Sequence, residues 1–260
     1  MTILDQLADY ARQRVAAAKA VKPLAEMERE ALAMSKGDFP FERALSGGDL
    51  AFICECKKAS PSKGLIAPEF PYLDIARTYE AAGAEAISVL TEPKWFLGSD
   101  DYLREIAEQV SIPCLRKDFT VDEYMLYEAK LLGASAALLI CAILDEVRLK
   151  DYIRICDGLG LSALVEAHDE AEVEMALRAG AKIIGVNNRN LKDFTVDTGN
   201  SRRLRAMIPP DVLFVSESGV RDASDVQAAR EMGANAVLVG EALMRATDKR
   251  AKLAELRGGL

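Results

Sequence analysis

The feature that most constrains the fold is a Gly-Ala pair that recurs along the chain. Four times a segment with helical character ends in this pair and passes within a few residues into an apolar segment. The four pairs, about 50 residues apart, are Gly83-Ala84, Gly133-Ala134, Gly180-Ala181 and Gly233-Ala234. Because a further strand candidate lies between successive pairs, each interval holds two strand and helix units of about 25 residues, the length expected in a parallel α/β sheet.

The number of these units predicts a closed barrel. A first strand runs from Leu50 to Cys56, and the intervening strands begin near Pro113, Leu161 and Val212. The total of about eight units is that of a (β/α)₈ TIM barrel. A doubly wound open sheet has the same pattern and is the alternative, although the first strand is not followed by the G-x-G-x-x-G turn of many such sheets.

Residues 1–48 precede the first strand and exceed what a minimal barrel needs. They contain two helical stretches, from Ile3 to Ala20 and from Leu24 to Ala33. We expect a helical extension of a single (β/α)₈-barrel domain over residues 1–260, which either closes one barrel end or covers the substrate. Further along, Thr120 and Glu123 have the spacing of a capping box that would open the helix after the third strand.

Composition limits the partners of the chain. The 260 residues are 50% hydrophobic and 28% charged, as in an ordinary globular protein. The formal net charge of -8 repels nucleic acid and anionic membranes, so an anionic partner needs a local basic pocket, and a small substrate is expected. No apolar run reaches the roughly 20 residues that cross a bilayer, and residues 1–19 lack the apolar segment of a signal peptide. We therefore expect a cytoplasmic protein.

The five cysteines fall inside apolar segments and are expected to be reduced core residues; they are Cys54, Cys56, Cys114, Cys141 and Cys156. Cys54 and Cys56 share one face of a strand and could chelate a metal. With one histidine and no second cysteine pair, however, the sequence offers little to complete such a site, so we expect no metal.

Polar side chains collect where the apolar strands end, which is where barrel enzymes place their chemistry. The residues at these ends include Glu55, Lys57, Lys117, Glu166, Asn187, Arg189, Glu217 and Ser218. Access to solvent explains any one of them equally well, but the opposite strand ends carry fewer polar residues, so the set predicts a site. Glu55 and Lys57 share a strand face, which directs both toward the barrel mouth.

The loops after these strands suggest how a substrate is held. Ser218-Gly219 follows the seventh strand and Gly240 the eighth, where backbone N–H groups can approach a phosphate, although plain turns are the alternative. The loop from Ala59 to Gly64 suits either a mobile cover or an ordinary connection. Trp95, Phe96 and Phe119 are candidates for an aromatic wall of the site. For each of them alone, packing under a loop is the better explanation. His168 is interpreted as a loop residue.

The segment from Glu55 to Gly64 reads Glu-Cys-Lys-Lys-Ala-Ser-Pro-Ser-Lys-Gly and resembles the signature loop of indole-3-glycerol phosphate synthases, enzymes of tryptophan biosynthesis. The resemblance continues through most later strand ends: Leu90 to Glu92, Phe96 to Ser99, Leu115 to Phe119, Leu164 to Glu166, Gly185 to Leu191, Ser216 to Gly219 and Leu238 to Glu241. It spans essentially the whole chain, including the N-terminal helices.

The resemblance implies a carboxy-lyase that needs no cofactor. Its substrate would be 1-(o-carboxyphenylamino)-1-deoxyribulose 5-phosphate, and its products indole-3-glycerol phosphate, carbon dioxide and water. Lys117 would protonate the ribulose carbonyl as the ring attacks it. Glu166, Glu55 and Lys57 would be the acids and bases of the later dehydration, with their division of labour left open.

The resemblance also implies binding roles for the remaining residues. Arg189 with Ser60 would hold the substrate carboxylate, because the planar guanidinium fits that group. Asn187 and Glu217 would orient the amine and hydroxyls, with Phe96, Phe119 and Ser218 as further substrate contacts. The phosphate would bind Lys57 and the backbone near Gly219, Gly240 and Glu241. Some family members have serine at the position of Glu241.

Two other functions stay open at this stage. A lysine on a barrel strand forms a Schiff base in some aldolases, which borohydride trapping at Lys117 would reveal. A non-catalytic sugar-phosphate binding module is the third possibility, but it leaves Lys117 and Glu166 unexplained. We expect a monomer.

Overall fold

The computed structural model of the protein describes residues 2–190 and 194–258. Its strands are β1 (Ala51–Cys56), β2 (Ala59–Ser60), β3 (Gly64–Leu65), β4 (Ala86–Leu90), β5 (Cys114–Lys117), β6 (Ala136–Ile140), β7 (Ser162–Ala167), β8 (Ile183–Asn187), β9 (Leu213–Glu217) and β10 (Ala236–Val239). Eight of them, all but β2 and β3, form one closed parallel barrel. The barrel closes because β1 pairs with β4 on one side and with β10 on the other.

The helices in the described ranges are α1 (Ile3–Val21), α2 (Leu24–Ala33), α3 (Pro40–Leu45), α4 (Tyr72–Ala81), α5 (Asp100–Gln109), α6 (Tyr124–Leu131), α7 (Glu146–Leu159), α8 (Glu170–Ala179), α9 (Gly199–Arg205), α10 (Ala223–Glu231), α11 (Glu241–Arg245) and α12 (Lys249–Leu256). The predicted TIM barrel with extra N-terminal helices is confirmed, and the open doubly wound sheet is wrong. Among the described residues, no helix combines the length and apolar character needed to span a bilayer.

The recurring Gly-Ala pairs end helices in the same way. Gly83, Gly133, Gly180 and Gly233 all have a positive φ, a conformation that glycine adopts without strain. In each pair the alanine N–H donates to a carbonyl five residues earlier, as Ala84 does to Tyr79 at 3.0 Å. This bond satisfies a carbonyl at the helix end and turns the chain toward the next strand.

The barrel strands are buried almost throughout, which explains their apolar sequences. All five cysteines are buried and free, so the prediction that they are reduced core residues is confirmed. The residues at the end of β1 also follow strand alternation, since Glu55 and Lys57 line the cavity at the barrel mouth while Cys54 and Cys56 pack into the core.

Two features of the helices differ from expectation. The extension contains a third helix, α3, which sequence analysis missed because six residues are too short to show a helical period. The capping box at Thr120 and Glu123 is wrong: Glu123 occupies the N-cap position of α6 and its side chain makes no cap bond. Asp122 performs this role instead, as its Oδ1 accepts from the Tyr124 N–H at 2.9 Å.

Candidate active site

The carboxyl ends of the barrel strands surround a cavity of about 980 Å³, called here the main cavity. Of the site residues predicted from the sequence, all but Trp95 line this cavity: Glu55, Lys57, Ser60, Phe96, Lys117, Phe119, Glu166, Asn187, Arg189, Glu217, Ser218, Gly219, Gly240 and Glu241. The parallel register explains the convergence, since strands far apart in the chain end at the same pole of the barrel.

Lys117 lies at the centre of the charged groups in the main cavity. Its Nζ is 3.3 Å from Glu166 Oε2 and 3.5 Å from Glu217 Oε2. Burial by itself lowers the pKa of Lys117, but the charges of Glu166, Glu217 and Glu55 outweigh it and hold the pKa above its ordinary value. Lys117 is therefore an ammonium, a group that can donate a proton or a hydrogen bond.

Glu166 and Glu55 are buried carboxylates with cationic neighbours. Burial opposes their ionisation, yet Lys117 keeps the pKa of Glu166 below its ordinary value, and Lys57 with Lys117 does the same for the pKa of Glu55. Glu55 Oε1 forms an ion pair with Lys57 Nζ at 2.6 Å. Gly240 makes room for this pair, because a Cβ there would lie 2.4 Å from Glu55 Oε1 and 2.9 Å from Lys57 Nζ.

Glu217 has a different environment from the other two carboxyl groups. Burial raises the pKa of Glu217 to about 8, with Lys117 opposing the rise and Glu166 and Glu55 adding to it. Its Oε1 has no hydrogen-bond partner among the described residues. Gly185 on β8 accommodates it, since a Cβ there would lie 2.1 Å from Glu217 Oε1. In the sequence Gly185 belongs to the motif from Gly185 to Leu191, and no local signal marks it as a site residue.

Two phenylalanines form the aromatic wall of the main cavity. The rings of Phe96 and Phe119 lie 6.0 Å apart, tilted by 42°. Buried Glu92 holds the loop of Phe96, because its carboxylate accepts from the backbone N–H groups of Lys94, Trp95 and Phe96. Trp95 itself does not line the main cavity and packs edge-on against Tyr10, so it is not a wall of the site.

Arg189 and Asn187, at the end of β8, and Ser60, after β1, also line the main cavity. Arg189 donates from its backbone to Asn187 Oδ1 at 3.0 Å and from Nη1 to the Phe194 carbonyl at 3.2 Å. Ser60 lies in the antiparallel hairpin of β2 and β3, with its Oγ 3.5 Å from Ser62 Oγ. Leu191, the end of the motif after β8, lies outside the described residues.

The turns after β9 and β10 build a further part of the rim of the main cavity. Ser218 and Gly219 both have positive φ, and a Cβ on Gly219 would lie 2.8 Å from Thr198. Glu241 follows Gly240 and its side chain contacts cations, with Oε1 3.0 Å from Arg245 Nε and 3.5 Å from Lys63 Nζ.

The N-terminal extension contributes residues that sequence analysis did not assign to the site. Ile3, Leu4 and Leu7 of α1 line the main cavity. The sequence predicted the helix but left its position relative to the site open. His168, interpreted as a loop residue, lies with Nε2 3.4 Å from Glu166 Oε1. Its position two residues after Glu166 was the available signal.

A closed barrel with a buried ammonium and three carboxyl groups at its carboxyl pole defines a (β/α)₈-barrel enzyme. The family model described as indole-3-glycerol phosphate synthase matches residues 4–256. The chain therefore belongs to the indole-3-glycerol phosphate synthase family, the carboxy-lyases of tryptophan biosynthesis.

Individual relatives agree with this assignment. The indole-3-glycerol phosphate synthase of Ruminiclostridium cellulolyticum is 59% identical over 98% of this chain and 99% of its own length. That of Leuconostoc mesenteroides is 50% identical over 98% of this chain and 99% of its own. A solved 3-hexulose-6-phosphate synthase superposes with a TM-score of 0.64 at 15% identity, covering 80% of this chain and 99% of that one, which shows a shared fold alone.

Proposed function

We propose that the main cavity closes the indole ring of 1-(o-carboxyphenylamino)-1-deoxyribulose 5-phosphate and releases indole-3-glycerol phosphate, carbon dioxide and water. The observation that carries this proposal is the contact of Lys117 with Glu166 and Glu217, at 3.3 and 3.5 Å, inside a cavity with an aromatic wall. It places a proton donor among proton acceptors, as the reaction requires.

Substrate binding follows from the distribution of side chains around the main cavity. The aryl ring packs against Phe96 and Phe119, and its carboxylate is held by Arg189 with Ser60. Asn187, Glu217 and Ser218 orient the amine and hydroxyls. The phosphate binds Lys57 and the backbone N–H groups near Gly219, Gly240 and Glu241. The Glu241 side chain is engaged by Arg245 and Lys63 at 3.0 and 3.5 Å, which leaves its N–H as the phosphate contact.

Lys117 acts in the formation of the carbon–carbon bond. As the ring carbon that bears the carboxylate attacks the ribulose carbonyl, a proton passes from the Lys117 ammonium to the carbonyl oxygen. The bond to the carboxylate then breaks, and its electron pair restores the aromatic ring. A neutral lysine could not perform the first step, so the raised pKa of Lys117 supports this role.

Glu55, Glu166 and Lys57 act in the dehydration. One carboxylate takes the proton on the carbon next to the nitrogen, and an acid protonates the hydroxyl that leaves as water. The lowered pKa values of Glu55 and Glu166 make both of them carboxylates at rest. Either one therefore enters the step as a base, while Lys57 or a newly protonated carboxyl group is the acid.

The Schiff-base alternative has less support from this environment. A lysine nucleophile needs a lowered pKa, which a desolvating or cationic neighbourhood provides. Lys117 instead lies between carboxyl groups that hold its pKa above its ordinary value. Its proton is retained and its lone pair is not available to attack a carbonyl.

We also propose that one chain is the working unit and that it acts in the cytoplasm. The predicted catalytic and phosphate-binding residues that line the main cavity all come from a single chain, which supports a monomer. Five free cysteines suit a reducing compartment. Light scattering during gel filtration tests the first statement, and a dimer that loses activity on dilution would contradict it.

The assigned roles are tested by following the fluorescence of the indole product. Lys117→Ala and Glu166→Gln should fold and lose about 10²- to 10⁴-fold in turnover, the usual effect of removing a general acid or base. Lys182→Ala is the matched control, because this exposed lysine precedes β8 at the opposite pole and pairs with Asp157. Full activity in either site variant refutes the role assigned to that residue.

A further inference from the structure

His168 lies beside the site and has no role in the proposed reaction steps, yet it links Glu166 to a second carboxylate. Its Nε2 lies 3.4 Å from Glu166 Oε1, and its Nδ1 lies 3.1 Å from Glu172 Oε2. Glu172 also accepts from the His168 backbone N–H at 2.7 Å. Nδ1 is therefore committed to Glu172, while buried Nε2 has Glu166 as its ion-pair neighbour and no hydrogen-bond partner in the described part of the chain.

His168 stands in the wall between two cavities. Glu166 lines the main cavity, whereas His168 and Glu172 line a neighbouring cavity of about 490 Å³, called here the second cavity. Asn187 and Arg189 line both. The contact between Glu166 and His168 thus crosses from one cavity to the other, and the side chain of Glu172 is 18% exposed on the far side.

The proposed reaction creates a need for such a contact, because it consumes one proton per turnover. The carbonyl oxygen gains a proton, the departing hydroxyl gains another, and the carbon next to the nitrogen loses one. The substrate carboxylate leaves as neutral carbon dioxide, so the balance is one proton taken from solvent. With substrate in the mouth, solvent reaches the buried carboxyl groups least easily from that side.

We propose that His168 supplies this proton, giving the one on Nε2 to Glu166 in each turnover and regaining one from solvent in the second cavity. His168 acts through Glu166 and does not touch the substrate, so it is a positioning and proton-supplying residue. Glu172 holds the Nδ1 proton, which fixes the ring with Nε2 on the side of Glu166, 3.4 Å from its Oε1. The inference rests on the proposed function, since it depends on the proton balance of that reaction.

The surrounding charges support an imidazolium at this position. The charged groups facing the ring are Glu166 of β7, Glu172 of α8 and Glu217 of β9. Burial by itself lowers the pKa of His168, but the bond to Glu172 and the charges of Glu166 and Glu217 hold the pKa above its ordinary value. His168 is therefore charged over more of the neutral pH range than a free histidine.

Two substitutions separate proton transfer from positioning. His168→Gln keeps an N–H that can donate to Glu166 but cannot pass on a proton, and His168→Ala leaves a space beside the second cavity. Both should lower kcat by about 10- to 100-fold with little change in KM, below the full effect of removing a direct acid. Added imidazole should restore much of the rate of His168→Ala and none of the rate of His168→Gln.

The controls distinguish failure of this inference from failure of the proposed function. The unsubstituted protein must form the fluorescent indole product, because without that turnover the proposed function itself fails. Glu172→Gln should lower kcat several-fold, while Glu174→Gln, on the exposed face of the same helix, should not. A His168→Gln rate equal to the unsubstituted rate overturns the inference, as does a His168→Ala rate that imidazole fails to raise.

Discussion

Glu217 differs from Glu55 and Glu166 in the balance between burial and nearby positive charge. Glu55 lies 2.6 Å from Lys57, and Glu166 lies 3.3 Å from Lys117. Glu217 shares Lys117 at 3.5 Å, and its Oε1 receives no hydrogen bond from any described residue. Burial therefore dominates and raises the pKa of Glu217 to about 8, whereas the pKa values of Glu55 and Glu166 are lowered.

Glu217→Gln should change how stability depends on pH. A carboxyl group with a higher pKa in the folded than in the unfolded chain stabilises the fold below its unfolded pKa. That contribution is lost as pH rises through the folded pKa, here from 4.5 to about 8. Because glutamine stays neutral, the variant should gain roughly 1 kcal/mol or more relative to the parent chain between pH 5 and 9.

Urea unfolding of both chains at the two pH values measures this difference. Glu174→Gln, on the exposed surface of α8, is the control and should show no comparable change with pH. A free-energy difference between Glu217→Gln and the parent that stays constant from pH 5 to 9 would contradict the proposed environment of Glu217.

For individual residues, the sequence predicts which side chains lie near one another but not their pKa values. Lys117, Glu166 and Glu217 could be predicted to lie together because each stands at a strand end, and parallel strands end at a common pole of the barrel. The elevated pKa of Glu217 and the contact between His168 and Glu166 depend on distances between side chains remote in the chain. The room at Gly185 likewise has meaning only once Glu217 is placed beside it.

Among the elements, α1 is tied to the strand that carries Lys117. Arg14 donates from Nη1 and Nη2 to the two oxygens of Asp118, at 3.0 and 2.6 Å. Asp118 follows Lys117 directly and is buried. The period of α1 predicted the helix, but no local pattern could pair residues 104 positions apart. The short helix α3 was likewise not predicted, because tertiary packing stabilises it and its six residues show no helical period.

Arg14→Ala should destabilise the protein by about 3 kcal/mol, because it leaves a buried carboxylate without its cation. The loss is limited by Thr91 and the Phe119 N–H, which still donate to Asp118. Arg12→Ala is the control on the same helix, since Arg12 is exposed and pairs with Asp9, and should cost less than about 0.5 kcal/mol. Equal losses in denaturant unfolding would show that α1 is not held through Asp118.

In the whole molecule, the N-terminal extension reaches both poles of the barrel. At the carboxyl pole α1 lines the main cavity through Ile3, Leu4 and Leu7. At the amino pole the N–H of Glu42 in α3 donates to the side chain of Ser162, the first residue of β7. The extension therefore contacts the barrel at its amino end and lines the main cavity at its carboxyl end.

This arrangement predicts that stability and activity can be changed separately. Gly37 joins the extension to the end of α7, since its N–H donates to the Leu159 carbonyl at 3.0 Å. A Cβ on Gly37 would lie 2.4 Å from the Gly160 carbonyl oxygen, a backbone atom that cannot move aside alone. Gly37→Ala should therefore cost about 1–3 kcal/mol, as overpacking does elsewhere.

Because this contact lies at the amino pole, the folded fraction of Gly37→Ala should keep its kcat and KM at temperatures well below its transition. Gly47→Ala is the matched control, since nothing lies within 4 Å of a Cβ at that position, and its stability should change by less than about 0.5 kcal/mol. Thermal unfolding and steady-state kinetics on the same samples measure both quantities. A fall in kcat that accompanies the loss of stability would mean that packing at the amino pole reaches the lysine and carboxyl groups at the other.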